Sequence, residues 1–357
     1  MSLATPDKLR RLQEALYTKA KQEPAYRFYL LYDKVYREDI LAHAYALAKH
    51  KDGAPGVDGL TFAAIEATGV EPWLAAVGEA LRSETYRPQP VRRVMIPKPD
   101  GGERPLGIPT IRDRVVQTAA YLILQPIFEA DLEPTAYGYR PGRGALEAVQ
   151  AVHQALCTGH GQVVDADLTQ YFDTIPHAAL MKALARRICD RRLLRLLKRW
   201  LKTPVAESTA GGGWRYTGGK RATRGTPQGG VISPLLANLY MNRYLKAFRQ
   251  HGLDRRYGAR LVTYADDFVI LCRHGAPAVL AQTRRWLAQM GLTLNEPKTR
   301  VCHGRREAFT FLGYTFGPRR SRRDGHWYLG AAPAAKAVQR VRGRIRQLLR
   351  PSQLAAW

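Results

Sequence analysis

Thr263 to Leu271 reads TYADDFVIL, with two adjacent carboxylates, Asp266 and Asp267, set between apolar residues in a chain of formal net charge +26. Two carboxylates about 5 Å apart repel by roughly 3 kcal/mol at an effective dielectric near 20, and apolar flanks add desolvation. The wider stretch RLVTYADDFVILC reads as strand, tight turn at Ala265 and Asp266, and strand, so the acids occupy a hairpin tip. The hairpin itself offers that tip no cationic partner.

A second acidic strand lies 99 residues before, counted from Asp167 to Asp266. In QVVDADL, residues 162 to 168, alternation puts Val164, Ala166 and Leu168 on one face and Asp165 and Asp167 on the other. If the two places meet on one antiparallel sheet, three or four carboxylates converge. A shared proton could quiet one of them, whereas divalent cations compensate all. Oxygen donors with few histidines nearby favour magnesium over zinc. Two such ions about 4 Å apart clamp the attacking and leaving oxygens of an in-line displacement, which indicates nucleotidyl transfer or phosphodiester hydrolysis.

The bulk composition agrees. The chain has 357 residues, 45% of them hydrophobic, enough for a substantial core in two or three subdomains. Its 56 Lys and Arg against 30 Asp and Glu imply a polyanionic partner, nucleic acid first and anionic membrane as the rival. No run approaches the ~18 apolar residues of a membrane span, and MSLATPDKLRRLQEAL lacks a signal peptide's apolar centre, so a soluble intracellular protein is expected. Cys157, Cys189, Cys272 and Cys302 form no CxxC pair and read as ordinary thiols.

Helical spacing runs through residues 7 to 50 (Leu9, Leu12, Leu16, then Leu30, Leu31, Val35) until GAPGVDG at 53 to 59 breaks it. A helix at 71 to 82 precedes a hairpin of Val91 to Ile96 and Arg104 to Ile108. Thr110 and Asp113 form a capping pattern before a buried helix. Pro176 opens a helix with apolar stripe Leu180, Leu184, Ile188, Leu194, Leu197 and Leu201. Its other side carries Arg186, Arg187, Arg191, Arg192, Arg195, Lys198 and Arg199, either a solvated face or a surface that tracks phosphates. A Gly-rich loop at 209 to 230 ends in TPQGG, and Ser233 and Pro234 start another helix. Further expectations are a helix at 276 to 290, strands near 309 to 316 and 326 to 330, and a basic helix at 333 to 350.

Several blocks in order carry a family resemblance: GAPGVDG, PKPDGGERPLGIPTIRDRVVQ (97 to 117), YGYRPGRGALEAV (137 to 149), DADLTQYFD (165 to 173), RGTPQGGVISPLLANLYM (224 to 241), YADD (264 to 267), GLTLNEPKTRV and FTFLGYTF. Over roughly residues 25 to 330 the chain resembles group II intron reverse transcriptases. The resemblance implies an α+β right-hand polymerase fold: fingers and palm, an antiparallel palm sheet packed on helices, and a partial helical thumb. It implies an N-terminal helical extension at 1 to 75, fingers at 76 to 160 with the hairpin 91 to 108, and a palm at 161 to 330 with a helical insertion at 176 to 205. The start of a thumb is expected at 331 to 357, and the chain reads as short relative to family members that continue past it.

Carried over by residue, the resemblance makes Asp167, Asp266 and Asp267 the ligands of two Mg2+ ions, with Mn2+ as a substitute. Asp165 is the nearest competitor for Asp167, and Asp173 reads as structural. Phe172 becomes the ring that excludes a ribose 2'-hydroxyl. Gln228 lines the nucleotide pocket beside Gly229 and Gly230; Lys98 and Arg104 close on the triphosphate; Lys298 faces the leaving pyrophosphate; Tyr264 is the primer-side aromatic. The implied activity is RNA-directed DNA polymerisation from deoxynucleoside triphosphates on a DNA or RNA primer, linked to intron mobility. The implied partners are template RNA and intron RNA, without membrane, in the bacterial cytoplasm or at its nucleoid. The competing readings are an intron-RNA maturase or scaffold with an idle site, a domesticated or CRISPR-associated reverse transcriptase, and a metal nuclease.

Overall fold

The computed structural model describes residues 3–97, 102–209, 211–227, 229–321 and 323–349. The chain divides into two compact units, residues 1–132 with 170–242 and residues 133–169 with 243–357. The strands are β1 (Val91–Pro97), β2 (Glu103–Ile108), β3 (Gln162–Asp167), β4 (Pro204–Ser208), β5 (Trp214–Gly218), β6 (Arg260–Tyr264), β7 (Asp267–Cys272), β8 (Arg300–His303), β9 (Phe309–Phe311), β10 (Tyr314–Arg320) and β11 (Trp327–Pro333).

The first unit is helical around one sheet of order β2-β1-β4-β5. The expected hairpin is β1 with β2, antiparallel, and β1 runs parallel to β4. β5 lies within the region read as a Gly-rich loop and pairs antiparallel with β4 just before it, so that reading is corrected: turn-forming glycines there join and end strands. The helix Ile111–Glu129 is buried nearly all round, so its polar residues need internal partners. Thr110 Oγ1 accepts from the Asp113 N–H at 3.1 Å and donates to Asp113 Oδ2 at 2.9 Å. Arg114 donates to the carbonyls of Pro109, Gly53 and Ala54. GAPGVDG thus does more than end a helix: it docks on this one, and a Cβ on Gly56 would lie 2.7 Å from the Thr110 Cα.

Three other expectations change. Leu30 is 60% exposed, because the chain between the helices Asp7–Gln22 and Tyr32–Val35 is not helical. The single helix expected after Pro176 is two, His177–Ala185 and Arg191–Leu201. Between them Ile188 bridges Phe28, with Phe28 N–H donating to the Arg187 carbonyl at 2.8 Å and Cys189 N–H to the Phe28 carbonyl at 2.9 Å. The uniform basic face dissolves as well. Arg187 is buried and pairs with Asp131 at 3.0 Å, while Arg192 and Arg195 both pair with Glu84.

Unit one also holds a pH-sensitive contact. His177 is buried; its Nε2 donates to the Gly225 carbonyl at 2.7 Å, and its Nδ1 has no hydrogen-bond partner among the described residues. Burial lowers its pKa from the usual value. A folded pKa below the unfolded one means a contribution to stability present above about pH 6.5 and lost as pH falls through the folded value. Thermal melts are expected to show a lower midpoint at pH 5 than at pH 7.5, with a smaller drop in His177→Gln, whose amide keeps the donor to Gly225.

The second unit contains the sheet β6-β7-β3-β8 and the sheet β11-β10-β9. One core joins them: Val149, Val152 and Leu156 of the helix Ala145–Cys157 pack with Val163, Val269, Leu271, Phe309 and Phe316. Val163 shares the strand face of Asp165 and Asp167, so that face is apolar at one end and acidic at the other, where a purely acidic face was expected. The helix Ala335–Leu348 buries none of its residues, leaving Val341, Ile345 and Leu348 exposed. All four cysteines are free, and burial pushes the Cys272 thiol up to about 12.

Candidate active site

The second unit brings the two acidic stretches together. β3 and β7 are antiparallel neighbours, and their register sets Asp167 directly opposite Asp267 and Asp165 opposite Val269. Directly opposed residues on such strands have Cα atoms about 4.5 to 5.5 Å apart. Asp266 sits at the hairpin turn, where Ala265 takes φ +59°. Ala265 adopts this left-handed geometry without being a glycine, which costs conformational energy but fits a two-residue turn.

The tip is braced from outside the hairpin. Tyr137 N–H donates to the Thr263 carbonyl at 2.9 Å and Thr263 N–H to the Thr135 carbonyl at 3.0 Å, so residues 135–137 extend the sheet beyond β6. A Cβ on Gly138 would stand 2.6 Å from the Ala265 nitrogen. The glycine of YGYRPG is thus needed for contact with the acidic turn, a role no local pattern announces. Tyr264 is half-buried, packs on the core cluster and lies 6.5 Å from Tyr139, ring to ring.

The electrostatics single out Asp167 from Asp165. Asp165 faces Arg300, Nε to Oδ2 3.5 Å, a structural partner that the sequence reading missed because it arrives on β8. Asp167 is held from the turn before β8: the Asn295 N–H donates to its carbonyl at 2.8 Å, Asn295 Nδ2 to Oδ2 at 3.3 Å, and Lys298 Nζ to Oδ2 at 2.9 Å. The Lys298 side chain is 68% exposed and that of Asp167 is 18%. An exposed ammonium on a half-hidden carboxylate is a displaceable counter-ion.

Desolvation raises the Asp266 pKa, with Asp167 adding repulsion and Lys298 opposing it. Desolvation first, then Asp266 and Asp167, push Asp267 to about 6, again against Lys298. Water still reaches Asp267, which is exposed, and softens that penalty. Among the described residues no three His, Cys, Asp or Glu side chains already form a ligating cluster. The donor set nevertheless suits hard cations: carboxylates opposed across two strands, with Asp266 and Asp267 raised in proton affinity, beside one lysine on Asp167.

The other candidate residues belong to the first unit. Phe172 is half-buried, stands edge-on to Tyr171 at 5.8 Å and accepts from the Thr226 N–H at 2.7 Å. Arg104 is exposed on β2 opposite Ile96. Lys98 and Gln228 lie outside the described residues. Gly229 has φ +94°, and a Cβ there would fall 2.1 Å from the Gly107 carbonyl oxygen, so only glycine allows the backbone at this position to lie against β2.

Residues 96–316 match the sequence profile of the family described as Reverse transcriptase (RNA-dependent DNA polymerase). The chain belongs to the reverse transcriptase family. It is 35% identical to Protein YkfC of Escherichia coli (strain K12), over 91% of this chain and 93% of that protein. It is 36% identical to the Group II intron-encoded protein LtrA of Lactococcus lactis subsp. cremoris, over 46% of this chain and 26% of LtrA. Apo telomerase from Candida tropicalis, truncated from its C-terminal domain, superposes with a TM-score of 0.50 at 12% identity, covering 71% of this chain and 59% of that one; this likeness concerns the fold alone. The relatives agree with the group II intron type read from the motifs. This reverse transcriptase is an RNA-directed DNA polymerase, and its family chemistry requires an RNA template and a primer.

Proposed function

We propose that the enzyme extends a primer 3'-hydroxyl by two-metal nucleotidyl transfer, with Asp167, Asp266 and Asp267 holding two Mg2+ ions. The observation that carries this is the cross-strand pairing of Asp167 with Asp267, with Asp266 one residue away at the turn. When bound, such ions lower the charge barrier between the attacking oxygen, the phosphoryl group and the leaving pyrophosphate. Asn295 fixes one Asp167 oxygen through its amide. Lys298, released from Asp167, supplies positive charge for pyrophosphate. Arg104, with Lys98, meets the triphosphate, Gln228 lines the base pocket, and Tyr264 supports the primer end.

Phe172 is proposed as the gate against ribonucleotides. Replacing its ring in Phe172→Ala is expected to raise UTP use relative to dTTP by about tenfold or more, the scale of a pocket that loses a steric wall. Single-nucleotide incorporation with each triphosphate measures the ratio. An unchanged ratio would return Phe172 to ordinary packing.

The proposed division keeps fingers at 76 to 160, palm at 161 to 330 and thumb from 331. Intron RNA as the natural template partner, intron mobility as the setting and the bacterial cytoplasm as the location belong to the same proposal. No helix among the described residues is long and apolar enough to cross a membrane. The deciding assay is extension of oligo(dT) on poly(rA) with Mg2+ and dTTP. Extension supports the reading, absence of extension by intact protein at low salt contradicts it, and primer degradation without nucleotide would indicate a nuclease.

A further inference from the structure

β10 and β11 form an antiparallel ribbon in which Arg319 faces Tyr328 and Arg320 faces Trp327. Its inner part is anchored, since Phe316 belongs to the core and Leu329 packs against it. Its outer part is bare: Trp327 is 71% exposed and Tyr328 52%. Alternation places Arg320 with Trp327 on one face and Arg319 with Tyr328 on the other. Each face therefore offers one flat ring beside one guanidinium.

Local structure maintains that arrangement. A Cβ on Gly330 would lie 2.5 Å from Arg319 Cδ and 2.9 Å from the Tyr328 ring, so the glycine makes room for both side chains over the strand. Arg320 Nε donates to the Gly325 carbonyl at 3.1 Å, tying the arginine across the turn. Asp324, the one acid from Pro318 to Leu349 against nine Lys and Arg, accepts from the His326 N–H at 3.2 Å. Its charge is turned to the loop.

Exposed rings interleaved with arginines suit a ligand with both π faces and regular negative charge. An unpaired nucleic-acid strand has both, whereas a duplex hides its base faces except at its ends. We propose that the β10–β11 ribbon docks an unpaired nucleic-acid strand, with bases stacking on Trp327 and Tyr328 and phosphates meeting Arg319 and Arg320. None of these residues belongs to the proposed active site. The inference rests on the family's nucleic-acid binding and is independent of how the carboxylates work.

The test uses the full chain in EDTA, with excess unlabelled primer–template to fill the polymerase site, and follows the anisotropy of fluorescent 12-nucleotide oligo(rU), oligo(dT) and a blunt 12-base-pair duplex. Trp327→Ala is expected to weaken oligo(rU) binding about tenfold, Trp327→Phe to stay within about threefold, and Trp327→Leu to behave like alanine. Equal effects with oligo(dT) identify a strand site blind to the sugar, and a larger effect with oligo(rU) an RNA site; both support docking. Crosslinks from 4-thiouridine RNA at Trp327 or Tyr328 would support it directly. Binding within twofold of wild type for Trp327→Ala and Tyr328→Ala, equal sensitivity of the duplex, or a changed oligomeric state with unchanged RNA binding would overturn it. Trp327→Ala should extend saturating primer–template normally. If wild type itself fails to extend, the polymerase mechanism is contradicted and the ribbon assay still reads the docking surface.

Discussion

Primer extension by Asp266→Ala and by Asp267→Ala is expected to fall at least about 10³-fold, with thermal midpoints at or above that of the wild type in the absence of metal. The rate loss follows from removing an oxygen donor worth several kcal/mol of transition-state charge stabilisation, each 1.36 kcal/mol being tenfold. The preserved stability follows from the raised pKa values of both acids, since a group whose ionised form is disfavoured by folding is not holding the fold together. Asp167→Asn should lose extension similarly. Asp165→Asn is the informative control: its carboxylate faces Arg300, and extension should remain within about tenfold of wild type. Comparable losses at Asp165 and Asp167 would remove the distinction drawn from Asn295 and Lys298.

The largest expected effect on stability lies in the other unit. Arg187→Met should cost about 3 to 5 kcal/mol, the range for breaking a buried ion pair from one side. Arg187 is 4% exposed and pairs with Asp131; its guanidinium also donates to the carbonyls of Ala20, Glu23, Pro24 and Tyr26. Methionine fills much of the volume but leaves those acceptors without this donor. Arg195→Met breaks a pair with an exposed arginine, Arg195 with Glu84, and should cost under about 1 kcal/mol. Urea unfolding of the two variants beside wild type measures the difference. Equal small losses would mean that water replaces the guanidinium at Asp131.

These two arginines also mark what could be read in advance. Along the sequence Arg187 and Arg195 look alike, each basic beside apolar neighbours. What separates them is the chain around residues 20 to 28, which encloses one and not the other. The helix break at Ile188 has the same origin, because the bridge to Phe28 competes with helix continuation. A local signal was present in Asp190, whose carboxylate caps the second helix through the Arg192 and Leu193 N–H groups. An aspartate before RRLL is a legible helix start.

The hairpin tip was readable because both its strands and its turn are encoded within thirteen residues, with Leu261 and Val262 on one side and the continuous apolar run Phe268 to Cys272 on the other. The meeting of β3 and β7 was inferred from charge: acids at two strand ends are easier to explain together than apart. Which acid takes which cation was not readable, since Lys298 and Arg300 reach Asp167 and Asp165 across more than a hundred residues. Gly138 and Asn295 share that difficulty. Each acts through a backbone contact that no spacing rule describes, although both lie in blocks that carried the family resemblance.

Anomalous scattering from crystals of the enzyme with primer, RNA template, incoming deoxynucleotide and Mn2+ addresses the convergence of the three carboxylates most directly. Two peaks are expected, together ligated by oxygens of Asp167, Asp266 and Asp267 at about 2.0 to 2.3 Å, with Lys298 no longer bonded to Asp167. Peaks elsewhere, or none while the Lys298 ammonium remains on Asp167, would contradict it.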